Sequence, residues 1–189
     1  MTGLILACDF GGTKLSAAVI EAADVDQPDA AWRGQLRRLA PPGASAQTDI
    51  EMMMGMGREL LAGERPSHIG ISFGGPVDYK RGLVRLSHHV PGWENVPIRQ
   101  LFANEFGAPT QVDNDANVAA LGEWRFGAGR GVADLLYVTV STGVGGGWIL
   151  DGRPYRGATG MAGEIGHTVV DPNGPLCLCG KRGCVERLA

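Results

Sequence analysis

Three of the four cysteines of this 189-residue chain, Cys177, Cys179 and Cys184, fall within eight residues in "CLCGKRGC", and His167 lies ten residues before the first of them. Three thiolates and one imidazole make a complete donor set for a tetrahedral structural Zn²⁺. The alternative is a set of reduced cysteines in a glycine-rich surface loop. No regular secondary structure calls for such crowding, however, and unliganded thiols so placed oxidise readily. The "CLCG" spacing is not the C-x-x-C of a thioredoxin-type redox pair. The fourth cysteine, Cys8 in "LILACDF", reads as part of a buried strand.

Two glycine turns form a second chemical theme. In "DFGGTK", Asp9 closes an apolar run, Gly11 and Gly12 turn the chain, and Thr13 and Lys14 add donors. Successive backbone N–H groups in such a turn form a concave nest for phosphate oxygens, and a strand-end Asp can hold Mg²⁺ through water. An ordinary hairpin turn has the same look, and the pattern is neither a Walker motif nor a Rossmann fingerprint. "STGVGGG" repeats the arrangement with Ser141, Thr142, Gly143, Gly145 and Gly146. Between the two turns, "VDNDAN" opens a helix. Asn114 or Asp115 would serve there as N-cap, worth about 1 kcal/mol. A carboxylate at a helix start can equally act as general base toward a hydroxyl nucleophile.

The elements that must position these groups follow from periodicity and turn residues. Residues 4–21 read as a β-hairpin, residues 22–31 as a polar connection, and "WRGQLRRLAP" as a strand. A helix is expected over roughly 48–62. Its Met52, Met53, Met54 and Met56 stand at helical spacing and suit core packing better than copper binding. "SHIGISFGGPVD" reads as an apolar strand running into a glycine turn, with "GLVRLS" as its antiparallel neighbour. An amphipathic helix begins near Pro97. "APTQVDNDANVAALGEWRFG" gives a strand, an acidic turn and a helix with Ala, Leu and Trp on its inner face. "LLYVTVSTGVGGGWILDG" is a strand, glycine turn, strand hairpin that echoes the first one, so two related lobes are expected, with the changeover near residues 117–134.

Composition narrows the function classes. With 44% hydrophobic and 20% charged residues, the chain is that of a folded globular protein. Its 30 glycines lack a collagen-like period and point to tight turns and close backbone approaches. The net charge is −3 and no basic block exceeds Arg37-Arg38, so neither nucleic acid nor an anionic membrane is an expected partner. "MTGLILACDF" lacks the basic leader and the apolar length of a signal peptide. A reducing cytoplasm is the expected compartment, where clustered cysteines bind metal more often than they pair.

Taken in order, "DFGGTK", "GGPVD", "VDNDAN", "STGVGGG" and "GEIGH…CLCGKRGCVE" resemble the ROK family of bacterial sugar kinases and sugar-responsive repressors, from residue 4 to the end of the chain. The resemblance implies an α/β, ribonuclease-H-like fold of two lobes, shared with the actin, hexokinase and Hsp70 superfamily. Residues 1–117 would form the smaller lobe, with the first phosphate hairpin and the catalytic Asp. Residues 118–189 would begin the larger lobe, which is expected to be incomplete because family members are longer. The match makes Asp115 the catalytic base. It makes Gly75, Asn114, Glu164, His167 and Glu186 sugar-binding positions. Asp9, Gly11, Gly12, Thr13, Lys14, Thr142, Gly143, Gly145 and Gly146 would hold ATP phosphates and their Mg²⁺, and His167, Cys177, Cys179 and Cys184 the zinc.

The implied activity is ATP-dependent phosphorylation of a hexose hydroxyl, in a homodimer. The implied alternative is a non-catalytic sugar-binding or regulatory protein of the same family, or a truncated vestigial kinase. The chain opens on the first hairpin, without the helix-turn-helix that family repressors carry ahead of it, which favours the kinase. Where many family kinases have Asn ahead of the Pro-Gly-Trp turn, this chain has His89, in "SHHVPGW". A metal role for His88 and His89 is not expected, since no nearby acid or thiol completes a set.

Overall fold

The computed structural model of the protein describes residues 3–27, 30–87, 89–141 and 143–189; His88 and Thr142 lie outside the described residues. The chain forms two compact units, the first ending at Asp115 and the second starting at Ala116.

In the first unit, strand β1 (Leu4–Phe10) alternates strictly, burying Leu4, Leu6, Cys8 and Phe10. This is the period-2 pattern of a pleated strand over a core. It pairs antiparallel with β2 (Lys14–Glu21), from Leu4 opposite Glu21 to Phe10 opposite Leu15, and β3 (Gly34–Leu39) continues the sheet on β2. On its other edge β1 pairs in parallel with β4 (Pro66–Phe73), which pairs in parallel with β7 (Thr110–Asn114). The order is β3-β2-β1-β4-β7.

Parallel neighbours require crossovers, supplied by helices α1 (Ala46–Leu61) and α2 (Ile98–Phe106). A Ser45/Thr48 capping box starts α1, and Met53 and Met56 are buried in the core beneath it. The short pair β5 (Val77–Asp78) and β6 (Leu83–Val84) stands apart from the main sheet. "GLVRLS" was expected to flank the strand now seen as β4. It pairs with β5 instead, because β1 and β7 occupy both edges of β4.

Register places Phe10, Phe73 and Asn114 side by side at the C-terminal ends of three parallel strands. Phe10 and Phe73 meet Trp93 with ring centroids 5.5 and 4.6 Å away, and Phe102 lies 6.0 Å from Phe10. These rings form an aromatic floor beneath the loops that follow the strands. The carboxyl ends of parallel strands are where open α/β sheets present their functional loops.

In the second unit, β8 (Leu135–Val140), β9 (Val144–Leu150) and β10 (Arg153–Tyr155) form an antiparallel sheet in the order β10-β9-β8. Helix α3 (Asp115–Phe126) begins directly after β7 and packs on β9 through its small residues. Its buried residues are Ala116, Asn117 and Ala120, whereas Leu121 is 39% exposed. The expected Leu and Trp inner face is therefore corrected. Gly145 and Gly147 of β9 carry no side chains toward α3, so the backbones approach closely and only alanine-sized groups fit between them. Trp124 is half-buried and its indole donates to the Val132 carbonyl at 2.8 Å. The unit ends with a 3₁₀ turn (Ile165–His167), a cysteine-bearing loop and the short helix α4 (Val185–Leu188). Among the described residues, no helix is long and apolar enough to cross a membrane.

Candidate functional site

The first glycine turn closes tightly: Gly11 N–H donates to the Lys14 carbonyl at 3.1 Å, so this amide serves the turn itself. A Cβ at Gly11 would lie 2.9 Å from that same carbonyl oxygen. Glycine is thus required at this position to keep a side chain out, since the backbone there is not left-handed. Asp9, exposed at the end of β1, accepts a hydrogen bond on Oδ1 from Ser72 Oγ at 2.9 Å, which fixes the carboxylate beside the turn.

The parallel neighbour brings a second glycine pair to the same edge. Gly74 N–H donates to the Phe10 carbonyl at 2.9 Å. A Cβ on Gly74 would meet the Phe10 carbonyl at 3.3 Å, Asp115 Oδ2 at 3.6 Å and Gly11 Cα at 4.0 Å. The Asp115 carboxylate therefore sits next to the loop that lies against the first glycine turn. Asn114 Nδ2 donates to the Gly75 carbonyl at 3.1 Å and holds that loop, while the Asn114 N–H is taken by Asp113 Oδ1 at 2.9 Å. His89 packs over the turn, with its Cδ2 3.6 Å from where a Gly12 Cβ would stand. Asp9, Gly11, Gly12, Gly75, Asn114 and Asp115 thus gather at one sheet edge. Ser72 and Gly74 join them without having been singled out in the sequence; the twin glycine directly after an apolar strand was the available signal.

The second glycine turn is spent largely on internal contacts. Ser141 N–H donates to the Gly143 carbonyl at 2.9 Å, Gly146 N–H to the Gly163 carbonyl at 2.8 Å, and Val144 N–H to Glu186 Oε2 at 3.0 Å. A Cβ at Gly146 would strike Ile165 Cδ1 at 2.7 Å, and one at Gly145 would make ordinary contact with Thr139 and Ala116. Packing against Ile165 thus requires glycine at 146 but not at 145, and Gly143 lies at the turn proper.

His167, Cys177, Cys179 and Cys184 converge, with donor atoms all within 4.8 Å of one another. Cys179 Sγ is 3.5 Å from Cys184 Sγ, and Cys177 Sγ is 3.7 Å from His167 Nδ1. Four ligands around zinc at about 2.0–2.3 Å stand about 3.5–3.8 Å apart, so these two pairs match the ion's spacing and the donor set fits it in identity and number. Left to themselves the thiols differ. Burial, then the neighbouring thiols, pushes Cys184 up to about 12, whereas the Lys181 backbone N–H draws Cys179 below the ordinary thiol value. Crowded sulfurs of this kind are held ionised together by a dication.

Around the histidine, Glu164 Oε2 lies 3.8 Å from Nε2 and Glu186 Oε1 lies 4.0 Å from Nδ1. His167, Glu164 and Glu186 thus form one cluster in the second unit. Cys8, by contrast, is buried in the first unit, and its thiol is raised far above its usual range by burial and by Asp9. It is a core residue.

This mixed α/β fold is the actin-like, ribonuclease-H-like fold of the ROK hexokinases. The chain belongs to the ROK family, whose model matches residues 5–189. It is 44% identical to the glucokinase of Thermotoga maritima over 131 residues, 69% of this chain and 41% of that one. It is 42% identical to the xylose repressor of Caldicellulosiruptor bescii over 121 residues, 64% of this chain and 30% of the repressor. The structure of a ROK family glucokinase from Streptomyces griseus in complex with glucose and AMPPNP superposes with a TM-score of 0.82 at 35% identity, covering 99% of this chain and 57% of that one. The chain thus spans between about a third and three fifths of the length of these relatives.

Proposed function

We propose that the protein acts in ATP-dependent phosphorylation of a hexose hydroxyl, with Asp115 as the general base. The observation that carries this reading is the approach of the Asp115 carboxylate to Gly74, and through it to the first glycine turn. A proton acceptor beside a phosphate-binding turn is what phosphoryl transfer to an alcohol requires, since the reaction is catalysed by positioning and charge stabilisation. In the step itself, Asp115 takes the proton of the sugar hydroxyl as its oxygen bonds to the γ-phosphorus. The bond from that phosphorus to the bridging oxygen breaks, and ADP leaves.

Gly12, Thr13 and Lys14 offer donors to phosphate oxygens on one side of the turn, and Asp9, oriented by Ser72, is the residue that would hold Mg²⁺ through water. The ion accompanying ATP supplies charge neutralisation at the β- and γ-phosphates. Asn114 and Gly75, joined by their hydrogen bond, shape the loop assigned to the sugar. In the second unit, Gly143 belongs to the other phosphate turn. Thr142, assigned to it from the sequence, lies outside the described residues. Glu164, His167 and Glu186 form a cluster rich in acceptors, which suits the hydroxyls of a neutral polyol. His167 and the three cysteines would hold a structural zinc, which would fix the imidazole's orientation and tautomer.

The relationship to a xylose repressor favours one second reading, a sugar-responsive regulator without transfer activity. A coupled ADP-release assay over a panel of hexoses, with calorimetric sugar binding in parallel, separates the two. Asp115→Asn is expected to abolish transfer, by at least the roughly 10²- to 10⁴-fold contributed by a general base, and to leave sugar binding intact. An Asp115→Asn protein with undiminished transfer overturns the assignment, and sugar binding without transfer by the unmodified chain favours the regulator.

A further inference from the structure

We infer that Glu186 is a positioning residue that couples metal loading at the cysteine cluster to the second glycine turn. The inference rests on the reading of the cluster as a zinc site. One carboxylate oxygen, Oε2, accepts the Val144 N–H at 3.0 Å. A Cβ at Gly143 would stand 2.6 Å from that oxygen, so glycine at this position is what lets the carboxylate reach the turn. The other oxygen, Oε1, faces His167 Nδ1 at 4.0 Å, and the same nitrogen lies 3.7 Å from Cys177 Sγ. A single half-buried side chain therefore accepts a hydrogen bond from the turn on one oxygen and faces the metal cluster's histidine with the other.

The backbone carrying Glu186 has little else to hold it. Helix α4 is four residues long, far below the length at which a helix sustains itself. It is tied back by the Val185 N–H to the Thr168 carbonyl at 3.0 Å and by a bridge between Val169 and Cys184, both adjoining the cluster. Among the described residues after Ile149, the buried apolar side chains are Cys177 and Cys184, two of the four donors. Apart from half-buried Ile165 and Val185, little apolar packing among the described residues fixes this segment when the donors are not gathered on an ion. Removing the ion frees Cys184, hence Glu186, hence the Val144 amide; the order of the second glycine turn becomes a property of metal loading.

The experiment is amide hydrogen exchange on the whole 189-residue chain, zinc-loaded and chelator-treated, for the unmodified protein, Glu186→Gln and Glu186→Ala, with zinc content measured in each preparation. In the unmodified protein, Val144 exchange is expected to accelerate about tenfold or more on zinc removal, while the β4 amides stay protected. Glu186→Ala is expected to bind one zinc yet show fast Val144 exchange whether loaded or stripped. Glu186→Gln keeps an oxygen acceptor and restores part of the protection in the loaded form. Unchanged Val144 protection in zinc-loaded Glu186→Ala overturns the proposal, as does full protection in the stripped unmodified protein. Loss of zinc from Glu186→Ala would make Glu186 part of the metal site and also overturns it. Less than stoichiometric zinc in the unmodified protein defeats the metal reading first, and the coupling with it.

Discussion

Two glycines of β9 that share one face should respond very differently to the same added methyl group. A Cβ at Gly147 would lie 2.5 Å from the Ala116 carbonyl oxygen, 2.6 Å from Ala120 Cβ and 3.0 Å from the Ala116 carbonyl carbon. Two of these three atoms belong to the α3 backbone and cannot swing away. To restore van der Waals contact, the first turn of α3 must retreat from β9 by roughly 1 Å or the strand must bend. Overpacking against such a boundary costs about 1–3 kcal/mol. At Gly145 the nearest atoms are Thr139 Cγ2 at 3.5 Å and Ala116 Cβ at 3.7 Å, which is ordinary contact.

Gly145→Ala should therefore change stability by no more than about 0.5 kcal/mol, or gain slightly from the lower entropy of the unfolded chain. Urea unfolding of the two variants beside the unmodified protein measures the difference. Because Ala116 follows Asp115 directly, the same displacement should, on the proposed function, also reduce phosphoryl transfer, where a misplacement of about 1 Å can cost roughly 10²-fold. Equal stability of Gly147→Ala and Gly145→Ala would refute the close packing of α3 on β9 and the explanation given for its alanine face.

Two further outcomes are expected. Asp49 is a buried carboxylate in α1 whose pKa is raised, chiefly by burial, despite the hydrogen bond from Trp93, and among the described residues its Oδ1 has no hydrogen-bond partner. A carboxylate raised on folding contributes stability that is present below its unfolded value of 3.8 and lost as pH rises through the folded value. Asp49→Asn should thus gain stability relative to the unmodified protein as pH rises from below 3.8 toward neutrality, and a pH-independent difference in urea midpoints would refute it. Strand β8 pairs only with β9 among the described residues, whereas β1 in the first unit is paired on both edges. It carries neither charge nor proline, and Leu136, Val138 and Val140 are 40, 49 and 67% exposed. An edge of this kind invites pairing with a second copy, so light scattering should show concentration-dependent dimers that Val138→Lys suppresses; a monomer at the highest soluble concentration would contradict this.

Local signals made much of the molecule legible in the sequence. The apolar run "LILACDF" reads as a buried strand, and the helical spacing of Met52, Met53 and Met56 suits a packed helix, since each depends on neighbours close in the chain. The candidate metal donors were legible because Cys177, Cys179 and Cys184 are clustered in sequence as well as in space. The family, too, was visible in short motifs whose order survives without any coordinates.

Other features depended on distance relations that no single segment contains. The partner of "GLVRLS" was decided by which strands fill the edges of β4, and the inner face of α3 by the missing side chains of Gly145 and Gly147 across from it. Only the tertiary structure turned Gly146 into a packing position against Ile165 and set Glu186 on the Val144 amide. Sequence patterns report which residue types a segment can use, because they arise from backbone periodicity and local hydrogen bonding. What each side chain finally touches is fixed by the close packing of segments far apart in the chain, and so it fell to the fold to separate the glycines that turn from those that merely make room.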